Sequence, residues 1–155
     1  MRTMFSIVLA GVAGVLIAGM PTVMAHHAFG GEFDANRPVL LKGKVVKVEL
    51  VNPHAWIHIA ASEVTLAGEK KDLKGQTEEW AVEGGTPNTL LRRGITRDSL
   101  AGNPEVVVDG YQTRDHSLMR ANGRNITFTD GRKLFMGSSG TGAPKDGADS
   151  TEPPK

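Results

Sequence analysis

The chain contains no cysteine. Disulfides, thiolate metal sites and cysteine nucleophiles are therefore excluded, and packing must hold the fold together. Aromatic residues are scarce: five Phe, two Trp and one Tyr. Each is then valuable, either as core or as contact surface. No charge dominates, with 18 Lys and Arg against 17 Asp and Glu. Gripping phosphate backbones takes clustered Lys and Arg, so nucleic acid is a poor partner. One long apolar run occurs, Met4 to Met20, and nothing after it is long enough to cross a bilayer. Catalytic signatures are missing too. Neither Ser99 nor Ser117 lies in a nucleophile-elbow context, and Gly84-Gly85-Thr86-Pro87 lacks the following Lys-Ser/Thr of a phosphate loop.

What is present starts with an address. Arg2 precedes the apolar run, Pro21 breaks it, and Val23-Met24-Ala25 supplies the small residues a signal peptidase requires. The pattern predicts a signal peptide over 1–25, export to the periplasm or beyond, and no membrane attachment after cleavage. A single membrane span is the competing reading, for which the run is short. Cleavage after Ala25 would leave 130 of the 155 residues, which suits one domain with a modest core. Arg2 would be lost and no acid, leaving 17 charges of each sign. The new terminus would read His26-His27.

Past that junction, 26–38 reads as an extended arm, with Phe29 and Phe33 as anchors. Val39 to Val51 is one long β run whose inward pattern slips. Leu41 and Val45 share one parity, and Val46, Val48 and Leu50 share the other. A slipped period of two implies a bulge or bend, which nearby Gly43 permits. Ala55 to Ala61 is a second strand, with Ile57 and Ile59 on one face and Trp56 and His58 on the other. Ser62 to Gly75 reads as a hairpin insertion. Gln76 to Glu83 is a third strand, Trp80 and Val82 facing in and Glu79 and Glu83 facing out. Thr86 and Pro87 open a short helix that buries Leu90 and Leu91 and stops at Gly94. Glu105 to Thr113 and Asn125 to Thr129 are two more strands. Asp130-Gly131 turns the chain into Lys133 to Phe135. From Gly137 onward there is no apolar payload, so 137–155 is expected to be a disordered tail.

Three strands, a short helix and two strands, with a long bent first strand, point to an all-β fold. The expectation is a small five-stranded barrel of the oligonucleotide/oligosaccharide-binding (OB) type over 39–136, the helix lying between strands three and four. Another small β-barrel or sandwich is the alternative.

Several segments, taken in order, resemble a family of small exported bacterial proteins known as a domain of unknown function. They are Ala25-His26-His27 with Phe29, Glu32-Phe33-Asp34-Ala35-Asn36, Asn52-Pro53-His54-Ala55-Trp56, Gly85-Thr86-Pro87-Asn88 with Leu90, Leu91 and Arg92, Gly94 to Leu100, and Asp130 to Phe135. The resemblance spans Ala25 to Gly137. It implies export and a compact β domain, and it brings no catalytic residues.

The remaining signals concern histidine. An N-terminal His can chelate Cu(II) through its amine and ring, with a distant imidazole as third ligand. His26, auxiliary His27 and His54 form that candidate set, set against a frayed terminus and a loop histidine. His54 and His58 are four apart on a strand-like segment, about 13 Å, too far to share one ion. Trp56 and His58 are candidates for a binding surface, though the arm's Phe29 and Phe33 are the expected cover for Trp56. His116 falls in a polar loop. Arg92, Arg93 and Arg97 with Asp98 read as a solvated charged face. The sequence points to an exported, non-catalytic module for a small ligand or a periplasmic protein, with copper binding as the alternative and no other cofactor indicated.

Overall fold

A computed structural model describes residues 29–137. The predicted signal peptide, His26, His27 and the tail beyond Gly137 lie outside the described residues. The chain opens with one helical turn, α1 (Phe29–Glu32), and runs straight into a long strand, β1 (Phe33–Glu49). Then follow β2 (Trp56–Leu66), β3 (Glu69–Lys70), β4 (Glu78–Glu83), α2 (Pro87–Arg92), β5 (Glu105–Thr113), β6 (Arg120–Phe128) and β7 (Lys133–Phe135).

Pairing closes a ring. β1 is antiparallel to both β2 and β5, β2 to β4 and β5 to β6, while β4 and β6 run parallel. The circular order is β1-β2-β4-β6-β5 and back to β1. With α2 between the third and fourth ring strands, the predicted small OB-like barrel is the architecture found. β3 and β7 are short additions on β2 and β6.

Closure depends on the length and bending of β1. Register slips at Lys42/Gly43 and again at Val45/Lys47 let one strand serve two neighbours. The second slip is the phase change visible in the sequence. Val45 points inward, Val46 is the extra exposed residue, and Val48 and Leu50 pack back on the core. Gly43 is required at the first slip. A Cβ there would fall on the Ala60 carbonyl and 2.6 Å from the Ala61 Cα.

The core is the inner parity of each strand: Leu41, Ile57, Ile59, Val64, Trp80, Val82, Val106, Val108 and Ile126 are all buried. Leu90, Ile95 and Leu100 join it from α2 and the segment behind. Thr86 caps α2, its hydroxyl accepting from the Thr89 N–H, and Gly94 takes the left-handed conformation that ends it.

Three boundaries differ from the sequence reading by more than two residues, and one expected core residue is exposed. β1 starts at Phe33 instead of Val39, because Phe33 pairs with Thr113. β2 continues to Leu66, taking Val64 into the core, so the expected insertion is half strand. β6 starts at Arg120 instead of Asn125. Leu91 is exposed, because a six-residue helix presents one inward position and Leu90 fills it.

Candidate functional site on the outer face

Alternation fixes which side chains meet outside the barrel. Ile57 and Ile59 face in, so Trp56 and His58 face out; Trp80 and Val82 face in, so Glu79, Ala81 and Glu83 face out. Register then aligns them. Trp56 lies opposite Glu83 and Glu49, His58 opposite Ala81, Ala81 beside Arg120, and Glu83 beside Asn122. Residues paired across a ladder share a face, so β1, β2, β4 and β6 together build one outer surface.

Trp56 is covered, but not by the expected side chains. Phe29 and Phe33 pack on each other and on Tyr111, with Phe29 5.7 Å from Phe33 and 5.3 Å from Tyr111 between ring centroids. Arg120 takes the place over Trp56, its guanidinium carbon 4.6 Å from the ring centroid. The arm still contributes, because Glu32 of α1 accepts from Arg120 Nη2 at 2.8 Å. Glu49, Trp56, His58, Ala81 and Arg120 line an open depression of about 290 Å³.

His58 is fully engaged. Its Nε2 is 2.8 Å from Glu49 and its Nδ1 3.1 Å from Glu79, and Lys47 also holds Glu49 at 2.8 Å. The Lys47 ammonium first, and His58 second, keep the Glu49 carboxyl below the ordinary carboxylate range.

His54 is held differently. The loop Leu50–Ala55 joins β1 to β2, and Ala55 fixes its end by exchanging backbone bonds with Gly84 and Gly85 (2.8 and 3.0 Å). From there His54 Nδ1 meets Glu83 Oε1. With Glu83 ionised and the imidazole neutral, Nδ1–H donates to the carboxylate and Nε2 carries the lone pair. Nε2 has no partner among the described residues. Glu83 is 5% exposed, and burial pushes its carboxyl above the ordinary range against the opposing pull of His54.

Other sequence candidates resolve simply. His116 Nε2 meets Asp34 at 3.1 Å on the exposed β5–β6 loop. The Gly84 and Gly85 N–H groups are taken by the carbonyls of Ala55 and Met136, which leaves no anion cradle. Arg93 turns toward the end of β7, where it donates to the Gly137 carbonyl at 2.7 Å and stacks on Phe135 at 4.7 Å. Among the described residues, no three His, Asp or Glu side chains converge as a metal site.

The model of a family of unknown function, DUF6152, matches residues 14–122. The chain belongs to DUF6152. The match covers His26-His27, the Asn52-Pro53-His54 loop and the Trp56 face, and it ends inside β6, before the Asp130–Phe135 segment. No curated protein matches the chain, and no solved structure does.

Sequence reasoning placed His54, Trp56 and His58 but missed the partners that define them. Glu79 and Glu83 were visible as the polar parity of β4, without a sign of which histidine each would meet. Arg120 carried no strand signal, because Ala121-Asn122-Gly123-Arg124 after it offers little apolar periodicity.

Proposed function

We propose that this DUF6152 member is an exported, non-catalytic binding module that takes a neutral, hydroxyl-rich ligand of the glycan class on the outer face of β2, β4 and β6. The observation that carries the reading is the Trp56–Arg120 stack, tied to Glu32 and set beside an open depression. In OB barrels the second and third ring strands, with the flanking loops, are the usual binding surface. Here those strands are β2 and β4, the site of Trp56, His58 and Glu83.

The charge around the stack selects the ligand. Glu32, Glu49, Glu79 and Glu83 outnumber Arg120 and Lys47 on this face, so a polyanion meets net repulsion. Carboxylates accept hydrogen bonds from hydroxyls well, and the edge of the Trp56–Arg120 stack, beside the depression, offers an amphipathic surface to a sugar ring. Among the described residues that line the depression there is no Ser, Thr or Lys.

Two measurements test this. Trp80 is buried and Trp56 is not, so the Trp56 indole resonance reports on the face. Neutral hexasaccharides should shift it, Trp56→Ala should abolish binding, and a twelve-residue oligothymidylate should have no effect. A shift produced by the oligonucleotide alone, or by no probe, defeats the reading. Fractionation and N-terminal sequencing test export: a soluble periplasmic product starting at His26 is expected, and full-length chain in the membrane fraction overturns it.

A further inference from the structure

The helical turn α1 carries Glu32, and its attachment to the barrel is slight. Phe29, Phe33 and Tyr111 form a cluster of their own, apart from the barrel core. Behind α1 the ladder lapses. Phe33 pairs with Thr113 and Pro38 with Tyr111, so residues 34–37 stand against Gln112 alone. Two of the four residues of α1, Gly30 and Gly31, are poor helix formers. Close packing does not require them, since a Cβ at either meets nothing within 4 Å. What fastens the turn is a short set of bonds to the end of β5. The Glu32 carbonyl accepts from the Arg114 N–H and the Thr113 hydroxyl, both at 2.9 Å, and the Gly30 carbonyl accepts from Arg114 Nε at 2.6 Å.

The Glu32 side chain reaches further, to Arg120 over the Trp56 ring. A cation–π contact at an exposed site is weak, and a long side chain gives up rotamer freedom to hold it. The bond to Glu32 is the second point that fixes the guanidinium there. Both side chains of the pair are partly exposed, 41% and 37%, so breaking it strands no buried charge.

We propose that α1 is an autoinhibitory strap: through Glu32 it keeps Arg120 on the face of Trp56, and its release uncovers that face beside the open depression.

The consequence for ligand binding rests on the glycan reading above. In the fastened state a ligand meets the edge of the stack. In the released state the indole face continues the depression lined by Glu49, His58 and Ala81. A ligand that uses the face must displace Arg120, and its apparent affinity falls with the fraction of molecules released.

Acrylamide quenching of tryptophan fluorescence reads the strap without any ligand, because Trp80 is 1% exposed and Trp56 is the accessible indole. Arg120→Ala should raise the quenching constant, and Glu32→Ala and Phe29→Ala should each raise it toward that value. Glu32→Ala in the Arg120→Ala background should add nothing, because the strap acts on Trp56 through Arg120. Equal quenching in wild type, Glu32→Ala and Phe29→Ala overturns the inference, as does full additivity of Glu32→Ala and Arg120→Ala. Glu32→Gln serves the same test if Glu32→Ala folds poorly. Titration with a neutral hexasaccharide, followed by the Trp56 indole resonance, reads the inhibition. Phe29→Ala unseats α1 and leaves the carboxylates of the site in place, and it should bind about twofold or more tightly. Gly30→Ala/Gly31→Ala stiffens α1 and should bind about twofold or more weakly. Unchanged or weaker binding in Phe29→Ala overturns the autoinhibitory role. If wild type and variants all leave the hexasaccharide unbound while the quenching pattern holds, the glycan reading fails and the strap over Trp56 stands.

Discussion

His54 and His58 both meet carboxylates of β4, yet their situations are opposite. His58 sits between Glu49 and Glu79, whose side chains are 38% and 64% exposed, and both of its nitrogens are occupied. His54 has one partner, Glu83, which is almost fully buried, and keeps one nitrogen open. The difference comes from position along the strand. His58 lies mid-ladder, where the cross-strand neighbours surround it. His54 lies at the loop that precedes β2, where only the last residue of β4 comes alongside. Burial then makes the two contacts unequal. An exposed ion pair is worth little, whereas a buried polar group that loses its partner costs its full desolvation.

The largest expected effect removes the support the two histidines share. Ile57 lies between them in sequence, faces inward and has no exposed surface. Ile57→Ala should cost about 2–5 kcal/mol in urea denaturation, for lost transfer energy plus the cavity left behind. A loss under about 1 kcal/mol would show that the core under β2 relaxes freely, and the contrast between the histidines would then need another cause.

The second test sets the two contacts against each other. Glu83→Ala leaves the His54 donor without its acceptor and should cost about 1–3 kcal/mol. Glu79→Ala removes an exposed partner and should stay within about 0.5 kcal/mol of wild type. Equal losses in the two variants would erase the distinction drawn from burial.

Much of this contrast was legible in the sequence, and part was not. Period-two alternation separated Trp56 and His58 from Ile57 and Ile59, and Glu79 and Glu83 from Trp80 and Val82, and both separations were correct because the four inward residues are strong apolar markers. The parity slip near Val46 was readable for the same reason. What stayed hidden was whatever pairing alone decides. The first half of β6 is Arg120, Ala121, Asn122, Gly123 and Arg124, a stretch of low strand propensity. It is a strand because β4 pairs with it in parallel and because Gly123 lets Val82 and Met136 press close. A Cβ at Gly123 would lie 2.6 Å from Val82 Cγ1. With β6 unplaced, Arg120 could not be put over Trp56, and the arm's phenylalanines were given that role. They went to Tyr111, the single tyrosine, on a neighbouring strand.

The smallest expected effect sharpens the His58 side of the comparison. The Glu49 carboxyl is held below its ordinary value of 4.5, first by Lys47 and then by His58. A carboxyl whose folded pKa is depressed favours the folded state at any pH above the unfolded value. That contribution fades as pH falls through the folded pKa. Wild type should therefore lose this increment only below about pH 4.5, the unperturbed carboxyl value. Lys47→Ala should move the Glu49 titration up toward the ordinary value more than His58→Ala does, because the ammonium is the larger cause. Carbon-detected NMR titration of the Glu49 carboxyl reads this directly. Stability should change little in either variant, since the pair is exposed and screened by solvent. If Glu49 titrates at or above 4.5 in wild type, the lysine and histidine contacts do not persist in solution. His58 would then have a nitrogen to spare, and the difference between the two histidines would narrow to the burial of Glu83 alone.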